Sequence, residues 1–188
     1  MKIEQTKLSG VVIIEPTVYT DQRGYFFECY HFKKFAAAGI DVQFVQDNQS
    51  KSARNTVRGL HYQINPGQGK LIRVVSGEIF DVAVDIRWDS PTFSQWVGVR
   101  LSADNKKQFF IPVGFAHGFC VVSDVAEVHY KCTDYYSPSD ERGIIWNDPQ
   151  VAIEWPVEQP ILSARDQQLP AFNQIERDFD FGGVQAGV

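Results

Sequence analysis

Two short strings set a histidine beside glycines in what reads as extended chain: Arg58-Gly59-Leu60-His61-Tyr62-Gln63, with Lys70 following, and Pro112-Val113-Gly114-Phe115-Ala116-His117-Gly118-Phe119. Imidazole ordinarily titrates nearest neutral pH, so a histidine held in a pocket can act as base, donor or metal ligand. Alternation along a strand groups Lys70 with Ile72 and Val74, and Tyr130 with Val128 and Cys132. An ammonium and a phenol on apolar faces are costly unless they are used or paired, so Lys70 would enter a pocket mouth and the Tyr130 hydroxyl should have a partner. Taken singly, the plainer accounts are a hydrogen-bonded barrel histidine, a core tyrosine and a solvated strand-end lysine. Arg58 and His61 are three apart, so a regular strand points them to opposite faces. If both serve one pocket, Gly59 must break the register as a bulge; otherwise Arg58 serves another site.

The spacing Pro112-x-Gly114-x-x-His117 is similar to the second motif of the cupin superfamily, whose small barrels often hold a metal through histidines and a glutamate. Such a site wants a His-x-His pair plus a carboxylate. Here the pair reads His61-Tyr62-Gln63, and Lys70 would repel a cation, so the expectation is a site without a metal.

The elements that position these groups are short. Val11 to Ile14 reads as a buried strand, and Thr20-Asp21-Gln22-Arg23-Gly24 as a turn before a strand through Tyr25 to Glu28. His31 to Ala38 carries helical spacing and stops at Gly39, as a glycine C-cap would. From Thr56 onward strands are expected at Val57 to Gln63, Lys70 to Val75, Ile79 to Ile86, Ser94 to Leu101, Gln108 to Ile111, Gly118 to Val122 and Glu127 to Tyr135. Ser76-Gly77-Glu78 is the tight connection between the best-alternating pair. The Pro-rich stretch around Trp155-Pro156 and Gln159-Pro160 would wrap the barrel as coil and short helix. The expectation is one all-β domain over residues 1–188, with a lead-in strand over about 1–10 and a flexible tail over about 180–188.

Hydrophobic residues make up 44% of the 188 and aromatics 13%, ample apolar area for one core. Eighteen basic against 23 acidic side chains give a net charge of −5, with no basic block, which argues against nucleic acid. Cys29, Cys120 and Cys132 are an odd number without metal-ligand spacing, which fits thiols in the cytoplasm. No leader-like apolar start and no run of about 18 apolar residues argues for export or a membrane.

Many ordered strings together resemble the dTDP-4-dehydrorhamnose 3,5-epimerase family. They are Asp21-Gln22-Arg23-Gly24 with Phe26 and Glu28, Gln46-Asp47-Asn48, Arg58 to Gln63, Lys70-Leu71-Ile72-Arg73, Asp81 to Arg87, Ser90-Pro91-Thr92-Phe93, Ile111 to Phe119, Tyr130-Lys131, Tyr135-Tyr136, Trp146-Asn147-Asp148-Pro149 and Leu162-Ser163-x-x-Asp166. The resemblance runs from about Gly10 to Asp166. Only the lead-in Arg54-Asn55-Thr56-Val57 departs from the family's usual hydrophobic pattern, with no catalytic consequence. It implies a cupin-type double-stranded β-helix, or jelly-roll, barrel with a few short peripheral helices.

The implied reaction inverts C3 and C5 of dTDP-4-keto-6-deoxy-D-glucose without a cofactor, giving dTDP-4-keto-L-rhamnose. A ketone at C4 acidifies both flanking C–H bonds, so a base, an acid on the opposite ring face and a group for the enolate oxygen suffice. By resemblance His61 is the base, Asp166 orients it, Tyr130 is the acid, and Lys70 stabilises the enolate oxygen or a phosphate. His117 is a pocket residue, with Asp81 as its support, while His31 and His129 have no catalytic part. Arg23, Arg58 and Arg165 would bind the diphosphate. Glu28, Gln46, Asn48, Tyr136 and Glu141 match nucleotide and sugar positions, and Phe26 is a base-stacking surface. The family implies a homodimer in which the strand carrying Arg23, Phe26 and Glu28 crosses to the partner.

The competing readings are inversion of one carbon only, a 3,4-ketoisomerase, a ligand-binding or storage barrel without chemistry, and a metal-dependent cupin oxygenase.

Overall fold

The computed structural model describes residues 1–183, and among these described residues the chain forms thirteen strands and one α-helix. In chain order they are β1 (Lys2–Gln5), β2 (Val12–Glu15), β3 (Val18–Asp21), β4 (Gly24–Phe27), α1 (Phe32–Ala37), β5 (Gln46–Ala53), β6 (Val57–Gln63), β7 (Lys70–Ser76) and β8 (Glu78–Asp85). These are followed by β9 (Trp96–Ser102), β10 (Gln108–Ile111), β11 (Phe115–Val121), β12 (Val125–Cys132) and β13 (Glu141–Gly143). A six-stranded sheet runs β1-β2-β10-β7-β12-β5 and a five-stranded sheet β13-β6-β11-β8-β9, while β3 and β4 form a separate hairpin. This is the expected cupin-type β-barrel.

Three apolar layers follow from how the strands alternate. Between the sheets lie Ile72 and Val74 of β7, Ile79 and Ala83 of β8, Phe109 and Ile111 of β10, Phe115 and Phe119 of β11, and Val128 of β12. Outside the six-stranded sheet, Leu71 and Phe110 meet Phe35 of α1. Outside the five-stranded sheet, Leu60, Val82 and Val84 meet Val151, Phe172 and Phe179 of the C-terminal wrap. Strands β7 and β8 are therefore buried on both faces, as near-continuous apolar runs should be. The wrap includes two short 3-10 turns, Asp166–Gln168 and Phe172–Gln174. Buried Asp148 pins it by accepting the backbone N–H groups of Gln150, Val151 and Phe172.

The helix behaves as its sequence suggests. No side chain caps its start, and it ends where Gly39 takes φ +94 and its N–H bonds Ala36 O, so packing of Phe35 rather than intrinsic propensity holds these six residues.

Ser76-Gly77-Glu78 is the expected tight connection, and because β7 and β8 lie in different sheets the chain turns a barrel corner there. Gly77 takes φ +77, and a Cβ on it would collide with Val125 O and Ser123 Oγ. The segment Gln46–Ala53, unassigned from sequence, is the edge strand β5. The start of the supposed loose tail is tied down: Asp180 bridges to Trp88, the Phe181 N–H bonds Trp88 O at 2.9 Å, and the Phe181 ring lies 4.9 Å from the Arg87 guanidinium. Residues 184–188 of that expectation lie outside the described residues.

Candidate active site

A cavity of about 520 Å³ opens at one end of the barrel, lined by Arg58, His61, Lys70, His117, Tyr130, Glu141, Arg165 and Asp166 among others. That volume suits a small organic ligand.

Strand pairing explains the convergence. His61 on β6 stands opposite His117 on β11, but Arg58 stands opposite Phe119, so the register slips by one residue between them. The slip is at Gly59, whose φ of +112 is open to glycine. A Cβ there would lie 2.6 Å from His117 O and 2.7 Å from Gly118 Cα. This bulge turns Arg58 to the same side as His61, and Ser52 Oγ accepts its Nε–H at 3.0 Å. Lys70 and Tyr130 reach the cavity from the six-stranded sheet, on the face that also presents Ile72, Val74 and Val128.

The His61 Nε2 lies 2.7 Å from Asp166 Oδ1. Asp166 is buried, which raises its carboxyl, yet hydrogen bonding, to His61 above all, outweighs burial and holds it below the usual carboxylate range. His117 Nε2 lies 2.9 Å from Asp81 Oδ1, and burial pushes that carboxyl up despite His117 and Lys70. Burial pushes the Lys70 ammonium down, against the pull of Cys132, Glu141 and Asp81. Neither the Lys70 ammonium nor the Tyr130 hydroxyl has a hydrogen bond among the described residues, and burial pushes that phenol up. The partner expected for a core tyrosine is thus missing.

At the mouth, Glu141 accepts the Tyr136 hydroxyl and the Arg165 guanidinium, both at 2.5 Å. Burial raises its carboxyl, but those two donors outweigh it and hold Glu141 low. Gln46 accepts the Tyr136 N–H at 2.9 Å and donates to Asn48 at 3.1 Å. Gln46, Asn48, Ser50 and Ser52 form the inward row of β5, and Asn48 stands opposite Tyr130.

Arg23, Phe26 and Glu28 are not brought to this cavity by their own chain. They sit on or beside the β3–β4 hairpin, where Phe26 is 70% exposed, Arg23 pairs with Asp21 at 2.5 Å and Glu28 pairs with Lys34 at 2.8 Å. His129 faces the other side of β12, beside Arg73 and Lys131. Among the described residues no group of three or more His, Cys, Asp or Glu side chains is placed to hold a metal ion, and no helix is long and apolar enough to cross a membrane.

Sequence reasoning passed over Ser52, Ser163 and the serine row of β5. Ser163 was legible, because Ser163-x-x-Asp166 is a helix-capping spacing, and its Oγ accepts the Asp166 N–H at 3.0 Å.

Residues 5–174 match the sequence profile of dTDP-4-dehydrorhamnose 3,5-epimerases. The chain belongs to the dTDP-4-dehydrorhamnose 3,5-epimerase family. The dTDP-4-dehydrorhamnose 3,5-epimerase of Pseudomonas aeruginosa is 55% identical over 174 residues, covering 92% of this chain and 96% of that one. The dTDP-6-deoxy-D-glucose-3,5-epimerase of Legionella pneumophila, solved in complex with dTDP-4-keto-L-rhamnose, superposes with a TM-score of 0.91 at 52% identity, covering 93% and 94% of the two chains. A dTDP-4-dehydrorhamnose 3-epimerase from Streptomyces niveus is 40% identical over 169 residues, covering 89% and 82%. This family of isomerases therefore includes a member named for a single carbon.

Proposed function

We infer that the protein is a dTDP-4-dehydrorhamnose 3,5-epimerase, converting dTDP-4-keto-6-deoxy-D-glucose to dTDP-4-keto-L-rhamnose. The observation that carries the reading is the meeting of His61, backed by Asp166 at 2.7 Å, with Lys70 and Tyr130 in one cavity. Substrate and product are isomers, so no electrons change hands and the chemistry asks only for a base, an acid and a partner for the enolate oxygen.

His61 removes the proton from C3 or C5. Its Nε2 faces Asp166, which leaves Nδ1 to take that proton and stabilises the imidazolium that forms. Lys70, without a hydrogen-bond partner among the described residues, meets the negative charge that develops on the C4 oxygen. Tyr130 returns a proton to the carbon from the six-stranded side. Its lack of a hydrogen bond among the described residues leaves the O–H free for that step. Arg58 and Arg165 hold the diphosphate, with Arg165 leaving Glu141 to do so. Gln46, Asn48, Tyr136 and Glu141 frame the sugar and nucleotide, and His117 completes the wall.

The protein acts as a homodimer in which the β3–β4 hairpin lines the partner's cavity with Arg23, Phe26 and Glu28. The 70% exposure of Phe26, beside exposed Tyr19 and Tyr25, supports this, since such an aromatic surface ordinarily meets a partner or a ligand. The three free cysteines fit a cytoplasmic site of action.

Incubation with dTDP-4-keto-6-deoxyglucose in heavy water tests the reading. Deuterium at both C3 and C5 is the expected result. Incorporation at one carbon would make the protein a single-centre epimerase, like the named function of the Streptomyces niveus relative, and no incorporation would overturn the reading.

A further inference from the structure

The cavity holds two histidine–carboxylate pairs. His61 and His117 are cross-strand partners, so both imidazoles line one wall, and each turns Nε2 to a carboxylate. The carboxylates differ in what else they meet. Asp166 keeps a 5% exposed side chain, and neither of its oxygens is among the buried polar atoms without a partner, so its ionised form is supported. Asp81 is wholly buried, and its Oδ2 is one of two buried side-chain polar atoms without a partner among the described residues.

Counting protons turns this difference into a difference of role. A pair holding one proton keeps it between Nε2 and the carboxylate and leaves Nδ1 bare, an acceptor. A pair holding two carries the second on Nδ1, whichever partner owns the shared one, and Nδ1 is then a donor. The first state is negatively charged and needs further donors on the carboxylate. The second is neutral and suits a carboxyl enclosed without them, because an unsupported buried charge is far costlier than a neutral pair. Environments that push two such pairs apart let one pocket run acid and base chemistry together.

Resting on the epimerase reading, we propose that the His117–Asp81 pair holds two protons and gives an Nδ1–H hydrogen bond to the C4 oxygen of the enolate, beside Lys70, while His61–Asp166 holds one and takes the proton from carbon. His117 is then a catalytic residue, and Asp81 a positioning residue acting through it. In each inversion the C–H bond breaks, its proton goes to Nδ1 of His61, and the electron pair moves onto the C4 oxygen. The His117 proton stays on nitrogen. The carbon then takes the Tyr130 proton as the electron pair returns, and solvent carries the proton from His61 back to the phenolate.

Protein labelled with 15N-histidine tests the assignment directly, with H61N and H117N identifying the two rings in 1H–15N imidazole spectra. Nδ1 should carry a proton in His117 and none in His61, and D81N should remove it from His117. In heavy water with the 4-keto substrate, H117N should slow deuterium entry at C3 and C5 by the same factor, about 10²-fold, because both enolates share one oxygen, with KM little changed. A bare Nδ1 on His117 in the wild type, or an H117N defect confined to KM or to one carbon, overturns the proposal. No deuterium entry in the wild type would instead sink the epimerase reading, and the ring spectra would still report the two proton inventories.

Discussion

Arg58 and His61, three residues apart on β6, face the same cavity because the strand gains one residue at Gly59. Gly59→Ala should therefore fail twice. The left-handed φ and the 2.6 Å approach to His117 O together predict a loss of about 2–5 kcal/mol in urea unfolding. Any folded fraction should lose turnover as well, since relieving the clash moves both side chains.

His61 and Asp166 should behave as one unit. His61→Asn and Asp166→Asn are each expected to lower kcat by about 10²- to 10⁴-fold. The double variant should lose little more than the worse single one. Additive losses would mean that Asp166 works elsewhere.

Lys70→Met should separate stability from activity. Burial pushes the lysine's folded-state value down, so between that value and its unfolded one the unfolded chain binds more protons, and wild-type stability rises with pH across the window. Methionine removes that slope and the cost of the buried charge. The variant should unfold at higher denaturant at pH 7, by about 1–2 kcal/mol, yet turn over about 10²- to 10³-fold more slowly.

Asp85 and Arg87 make the acid-sensitive contact of the barrel end. Burial raises the Asp85 carboxyl, but Arg87, Ser90 and Thr92 outweigh it and hold it low. Its contribution is present above the unfolded value and is lost as pH falls through the lower folded one. Asp85→Asn should cost about 3–5 kcal/mol near neutrality, as removing one partner of a buried pair does. The gap from wild type should narrow below about pH 4. A gap that stays constant to pH 2 would refute this.

The sequence was most legible where one face of a strand is apolar. The strands Val57–Gln63 and Gln108–Ile111 fall where periodicity put them, and Lys70 and Tyr130 face inward as alternation required. β5 was invisible for the opposite reason. Its inward residues are polar, with Ser50 lining the cavity, Ser52 holding Arg58 and Gln46 bonded to Asn48 and Tyr136, and a strand polar on both sides reads as loop. The β7–β8 connection has hairpin composition, but only the sheet partners reveal a corner, and pairing is a non-local property. The small residues after Asp180 suggested a frayed end, whereas Phe181 finds its partner in Arg87, far away in sequence. Arg23, Phe26 and Glu28 were singled out by resemblance alone; within the described residues Arg23 and Glu28 make only exposed ion pairs with Asp21 and Lys34, and the Phe26 ring stays exposed.

A single peptide bond joins Arg165, which is held at the mouth by Glu141, to Asp166, which is held beneath His61. On the proposed function, grip on the nucleotide and readiness of the base would thus be lodged together, where the coil enters the 3-10 turn Asp166–Gln168. Under that reading, selection for tighter or looser substrate affinity there would also disturb the proton-transfer apparatus, and the two traits would evolve in tandem.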